Sequence, residues 1–331
     1  MSEDGAAAAL AGALEQNVGL EFLDLYSSNL GDIGAEVIGQ ALPMNRTLHT
    51  LKMDRNWITH AGAARLFHGL QQNTGLKSLR LWGNSLGDDA VIAFVECLRA
   101  NQTLQSVCLG CTDFKLRGAE ALRGALQTNS SLKILNVAGN DFGSACAVSI
   151  AEGLEKNHGL ECIELGINKI CNAGAHRLGQ VLRVNTHLRE LFLRHNNIDC
   201  GGAAALAEAL TSNNSLTHLS LDDNKIRNNG AEAFAEALLV NTSLTVLNLG
   251  GNKISVNGAL MLAYALKTNV DLKKLFLQDN YDLDHAKHAD LMARALHDNT
   301  TAEVFLWETQ GTRYQWERMT DDELVLYYCD D

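Results

Sequence analysis

An asparagine returns at Asn17, Asn45, Asn73, Asn101, Asn129, Asn157, Asn185, Asn213, Asn241 and Asn269, a fixed step of 28 residues through most of a 331-residue chain. Self-similarity at that period means stacked copies of one supersecondary unit, each unable to bury its apolar face alone. A length that would otherwise suit two compact domains therefore reads as one continuous array. Three residues after each Asn stands an apolar residue, with others at plus six and plus eight, as in Leu76, Leu79 and Leu81 or Leu244, Leu247 and Leu249. The last pair has period two. This run predicts a short strand with Leu79 and Leu81 in the core and Ser78, Arg80 and Trp82 on the opposite face.

A second column, Asn56, Asn84, Asn140, Asn168, Asn196, Asn224, Asn252 and Asn280, follows three residues after the last core position, interrupted by Ser28 and Thr112. Buried there, an amide side chain satisfies loop N–H and C=O groups that a turn inside a solenoid cannot offer to water. Each repeat continues with Gly-Ala, an apolar residue about a turn later and then an Ala-Leu pair, as in Gly230-Ala231, Phe234 and Ala237-Leu238. That spacing is one face of a helix. The Asn that ends the helix is expected to take the left-handed conformation of a helix terminus. Strands stack about 4.8 Å apart and helices no closer than about 8–10 Å, so the stack must curve with its strands inside. The predicted fold is an α/β solenoid, a horseshoe with a parallel sheet on the concave face and helices on the convex face.

The consensus L-x-x-L-x-L-x-x-N followed by G-A-x-x-L-A-x-A-L-x-x-N resembles ribonuclease-inhibitor-type leucine-rich repeats across residues 5–299. The even step and the Asn241-Thr242-Ser243-Leu244 junction are similar to the repeat domains of NOD-like receptors and of stand-alone eukaryotic relatives. Ribonuclease inhibitor itself alternates two repeat types and repeats its cysteines; this sequence is read as doing neither, so ribonuclease inhibition is not implied. The chain divides into an N-terminal capping helix (1–17), ten 28-residue repeats with a longer last one (18–299), and a degenerate strand with a C-terminal cap (300–331). In that strand Ala302, Phe305 and Trp307 are expected in core positions. The cap reading rests on the aromatic supply of Tyr314, Trp316, Tyr327 and Tyr328 and on a capping-box pattern at Thr320 and Glu323.

Composition narrows the chemistry. A net charge of −12 disfavours nucleic acid, and no apolar run approaches the roughly 18 residues needed to span a bilayer. An acidic start, Met1-Ser2-Glu3-Asp4, argues against an export signal, and eight scattered cysteines suit reduced thiols; the expected location is the cytoplasm. Cys108 and Cys111 form one CxxC, half of a zinc site without a second pair in register. Walker and HExxH patterns are missing from the sequence, and no catalysis, cofactor, metal or small-molecule substrate is expected. Sequons at Asn45, Asn101, Asn129, Asn213, Asn241 and Asn299 read as by-products of the helix-ending Asn.

Binding is sought on the outward strand positions, where no packing rule fixes the residue. The early repeats offer Tyr26, Lys52, Asp54, Arg55, Arg80 and Trp82, a basic and aromatic patch with Trp57 near the rim. The middle repeats offer the small Cys108, Gly110, Asn136, Ala138 and Gly166, which predict a shallow floor. The later repeats offer Phe192, Arg194, His195, His218, Asp222 and Phe276, with Arg194–Asp222, His195–Asp223 and Glu190–His218 expected to pair across strands. Trp82 and Tyr26 beside arginine match the residue preferences of binding hot spots, and as outward residues Arg80 and Trp82 are expected to be replaceable at little cost in stability. The function expected is that of an interaction scaffold receiving a folded protein, alone or in an assembly, on the concave face. Through the family resemblance, a GTPase-activating protein of the Ran type is the alternative, and a sensor arm of a larger receptor is a third.

Overall fold

The computed structural model describes residues 3–281 and 301–305 of the chain. Among them, helix α1 (Glu3–Gln16) leads into a single parallel sheet whose strands follow one another in sequence order, from β1 (Phe22–Asp24) through β10 (Lys274–Phe276) to β11 (Glu303–Phe305). A helix follows each of the first nine strands, from α2 (Gly31–Ala41) and α3 (His60–Leu70) to α9 (Arg227–Leu238) and α10 (Val256–Ala265). The register advances by one repeat at every step: Leu51 aligns with Leu79, Leu79 with Val107 and Leu247 with Leu275. These residues point into a continuous core shared with Ile38, Leu66, Phe94, Leu122 and their counterparts on the helices. The chain is a leucine-rich-repeat solenoid. Small residues allow neighbouring helices to touch: a Cβ on Gly69 would lie 1.7 Å from the Gly39 carbonyl oxygen, so α2 and α3 meet backbone to backbone there.

Two asparagine ladders carry the polar side of the fold. In the strand-following column the Asn84 amide donates to the carbonyls of Met53 and Leu81, both at 2.9 Å, while its Oδ1 accepts from the N–H groups of Asn56 and Ile58 at 3.0 Å. Thr112 breaks the column but donates its hydroxyl to Leu109 O at 2.7 Å, and its N–H is received by Asn140. In the helix-ending column the Asn73 amide donates to Leu42 O and Asn45 O, and its Oδ1 accepts from Gly75 and Leu76 N–H. Every such bond satisfies a backbone group that the solenoid hides from water, at a cost of about 1–3 kcal/mol if left unmade. The left-handed expectation for this column was wrong: among the described residues none of these Asn has a positive φ. They are retained for hydrogen bonding. Asn45, Asn101, Asn129, Asn213 and Asn241 are buried in this ladder, so none presents its amide to a glycosylation enzyme.

The left-handed conformation falls instead on the residue before the strand-following Asn. Ser27, Arg55, Gly83, Cys111, Gly139, Ile167, His195, Asp223, Gly251 and Asp279 all have positive φ, which turns the chain sharply off the sheet. A second departure concerns repeat type. In four repeats the residue that opens the helix is also left-handed, Gly31, Gly87, Gly143 and Arg227, and its N–H reaches a carbonyl of the next repeat (Asn56, Thr112, Asn168 and Asn252). In the others the same place in the repeat is negative in φ, at Thr59, Lys115, Cys171, Asp199 and Ser255. The residue after each left-handed one caps its neighbour across the repeat boundary: Asp32 accepts from Thr59 N–H, Asp88 from Lys115, Ser144 from Cys171 and Asn228 from Ser255. Two loop types therefore alternate through the first six repeats, contrary to the uniform reading.

At the far end β11 pairs with β10 as expected, but Val304, not Phe305, stands opposite Leu275. One residue of slip exchanges the two faces of a strand. Ala302 and Val304 are partly buried against the core. The expected C-terminal cap, Trp307 and the extra residues near Asp282 to Asp284 lie outside the described residues.

Candidate functional site: the concave face

Each strand sends side chains at three outward positions onto the concave face, and neighbouring strands set these in columns. The third column reads Tyr26, Asp54, Trp82, Gly110, Ala138, Gly166, Arg194, Asp222, Gly250 and Gln278. Its three small middle members do not form an open floor. Trp82 lies forward over Gly110, where an added Cβ would stand 2.1 Å from the indole ring, and packs with Cys108, Ala138 and Cys111. Arg194 lies back over Gly166, its Cγ 2.8 Å from the place of an added Cβ. Two large side chains thus fold inward over three small ones and fill the shallow floor expected there.

This arrangement corrects the expected exposure of the early patch. Trp82 is 4% and Arg80 6% accessible, because Arg80 Nε donates to Asp54 Oδ2 at 3.0 Å and the other Asp54 oxygen accepts the Trp82 N–H at 2.7 Å. Asp54 is itself buried. Removing a member of such a buried pair strands the other charge, so the expectation that Arg80 and Trp82 can be replaced cheaply is overturned. Lys52 is half-buried, its Nζ 5.0 Å from the Phe22 ring centroid and 3.9 Å from Asp24. Arg55 is exposed on the turn, and its Cγ would meet a Cβ on Gly83 at 3.0 Å.

What remains open on the early repeats is aromatic. Trp57 is 75%, Phe22 51% and Tyr26 44% accessible. Sequence reasoning passed over Phe22, although the alternation Phe22, Asp24, Tyr26 already placed it on the outward side of β1. The later patch is more closed. Arg194 and Phe276 are buried, and Phe192, His218 and Asp222 are half-buried, while His195 is exposed. His195 Nε2 meets Asp223 at 3.0 Å and His218 Nδ1 meets Glu190 at 3.8 Å, as expected. The Arg194 guanidinium lies against Glu164 of the preceding strand, Nε to Oε2 3.7 Å, a partner the sequence did not disclose. Asp222 accepts from Ser220 Oγ and, at 3.0 Å, from the Asn248 amide.

Burial sets the ionisation of this floor. The Glu164 carboxyl is pushed up by desolvation, with Arg194 and the Gly166 N–H opposing. Desolvation lowers His218 while Glu190 pulls it up. The Cys108 thiol is pushed up to about 11 by burial, with the Arg80 guanidinium opposing. Among the described residues no group of three or more His, Cys, Asp and Glu is placed to hold a metal ion, and no helix is long and apolar enough to cross a membrane.

Against known proteins, a family model described as Leucine Rich repeat matches residues 128–151, 184–207, 212–235 and 240–263. No curated protein matches the chain. Among solved structures, an internalin from Listeria monocytogenes is similar at a TM-score of 0.51 and 15% identity, over 93% of this chain and 96% of that one. The structure titled Leiomodin-1 Actin-Binding Site 2 aligns at a TM-score of 0.36 and 20% identity, over 60% of this chain and 94% of that one. At these identities the internalin likeness is one of fold.

Proposed function

We propose that this protein is an interaction scaffold that receives a folded protein on the concave face of its first repeats, with Phe22, Tyr26 and Trp57 as anchors. The observation that carries the reading is the concentration of three accessible aromatic side chains beside Lys52 and Arg55, on a face whose remaining large residues are tied down. Rigid aromatic side chains bury large area at small entropic cost and are enriched among residues that dominate binding energy. Asp54, Arg80 and Trp82 act one step behind them, holding the floor on which the anchors stand.

The test is affinity capture with the intact chain, followed by titration of the captured partner against a triple variant, Phe22→Ser, Tyr26→Ala and Trp57→Ala. Loss of about tenfold or more in affinity is expected, with little change for Val184→Ala on the outer surface. A partner that binds the triple variant at full strength but is lost on changes at the convex helices removes the assignment.

A further inference from the structure

We infer a second interaction surface on the strand-to-helix rim of the eighth and ninth repeats, formed by Lys225, Arg227 and Lys253, that takes an acidic segment of a partner protein. The rim of the earlier repeats is internally neutralised: Arg117 is paired with Asp89, Lys115 with Asp113 at 2.8 Å and Lys169 with Asp141. That pattern stops at the eighth repeat. Lys225, Arg227 and Lys253 are all exposed, and among the described residues none of them has a carboxylate within 4.0 Å. Lys225 reaches only the neutral Asn197 Oδ1, at 2.9 Å. Of the nearby acids, Asp223 pairs with His195, Asp199 accepts from Gly201 N–H and the Asn172 amide, and Asp279, exposed in the next repeat, lies beyond 4.0 Å of all three cations. Lys225 and Lys253 hold the same place in consecutive repeats, one strand spacing of about 4.8 Å apart in the sheet below. On a protein of net charge −12, adjacent like charges with no carboxylate within 4.0 Å among the described residues repel one another, and an anion that joins them relieves that repulsion.

The backbone of Arg227 is an independent observation. It has φ 59 in the column where Gly31, Gly87 and Gly143 have φ 56, 65 and 72. A side chain there is disfavoured relative to glycine, and such residues persist where the surroundings or a function hold them. The arginine is displayed at a place where the fold prefers no side chain at all. It also opens α9, whose free N–H groups add partial positive charge. Beside the cations Asn229 and Asn257 are exposed neutral amides able to donate to carboxylate oxygens, while Asn228 and Ser255 are bonded to each other. An extended acidic peptide fits this chemistry: its carboxylates meet fixed cations, and spacing along two neighbouring loops sets register. The surface is separate from the aromatic end of the concave face and does not depend on the reading proposed for it.

The experiment titrates the full chain with a fluorescent twelve-residue peptide of alternating Glu and Ser, and with a neutral Gln and Ser counterpart, at two salt concentrations. Binding of the acidic peptide alone, weakened by salt, is expected. Lys225→Glu with Lys253→Glu should reduce affinity at least tenfold. Arg227→Gly should reduce it severalfold while raising the melting temperature, the opposite signs expected of a residue kept at the expense of backbone comfort. Lys77→Glu, on the other rim, should change neither. Equal binding of the neutral peptide, unchanged affinity in the double variant, Arg227→Gly with unaltered affinity, or tighter binding of a single-stranded oligonucleotide than of the peptide would each overturn the proposal.

Discussion

The concave floor holds two buried acid–arginine pairs of the same kind and unlike quality. In the early repeats Asp54 is satisfied at both oxygens, by Arg80 Nε at 3.0 Å and by the Trp82 N–H at 2.7 Å. In the middle repeats Glu164 binds the Gly166 N–H at 2.6 Å, but its second oxygen lies 3.7 Å from Arg194 Nε and accepts no hydrogen bond. The short acid sits in the outer column and reaches inward; the longer one sits inward and reaches outward. Both pairs anchor a large side chain over small ones, yet only the first closes its polar account. The lesson is that on a solenoid the column an acid occupies decides whether its two oxygens meet a guanidinium and a turn together.

If that contrast is right, removing the arginines should cost unequal amounts. Arg80→Met leaves Asp54 buried and charged, and a loss of about 3–5 kcal/mol is expected in chemical denaturation. Arg194→Met should cost less, about 1–3 kcal/mol, because the raised Glu164 can take a proton instead. Equal losses would erase the distinction between the pairs.

The glycines under the two large side chains sharpen it further. Gly110→Ala sets a methyl 2.1 Å from the rigid indole of Trp82, which must lift out, so about 1–3 kcal/mol and a red shift in tryptophan emission are expected. Gly166→Ala meets the Glu164 Oε1 and Arg194 Cγ atoms at 2.6 and 2.8 Å, which can shift more readily than an indole ring, and should cost less than Gly110→Ala without an emission change. A third comparison uses pH. A buried carboxyl with a raised folded value stabilises the fold when protonated; its contribution is full below the ordinary carboxylate range and is lost as pH rises through the folded value. The penalty of Arg194→Met should therefore shrink from pH 7 to pH 5, measured against wild type so that the opposing titration of His218 cancels. The smallest effect lies in the turns beside the two pairs, where Gly83 and Ile167 share the left-handed conformation, φ 67 and 56. Ile167→Gly should stabilise by about 0.5–1 kcal/mol and Gly83→Ile should destabilise, both read from melting temperatures.

Most of the fold was legible because its causes are periodic. A 28-residue step, a period-two strand and a helix face recur often enough that each repeat confirms the next, and the buried Asn column followed from counting backbone groups. The site was less legible. Alternation correctly turned Arg80 and Trp82 away from the core, but direction is not exposure: whether an outward residue meets water depends on neighbours one repeat away, and Gly110 next to Trp82 was the signal that the indole had somewhere to lie. The left-handed turn column was also readable in principle, since Gly83, Gly139 and Gly251 share it with Asp223 and Asp279. The C-terminal slip was not, because the greater length of the last repeat does not say how many of its added residues enter the next strand.

The alternation of loops has a bearing on how this protein can be altered or enlarged. Because Asp32, Asp88, Ser144 and Asn228 each complete the following loop and not their own, the exchangeable module is two repeats long, 56 residues. Excising residues 57–84 would bring Asp32 against Gly87, whose N–H is turned toward a carbonyl, and orphan the cap; excising residues 57–112 would bring it against Lys115, the partner Asp88 now serves. Shortened or lengthened versions should tolerate an even number of repeats far better than an odd one, except around Asn172 and Asp199, where two loops of the same type stand side by side and a single repeat has already been accommodated.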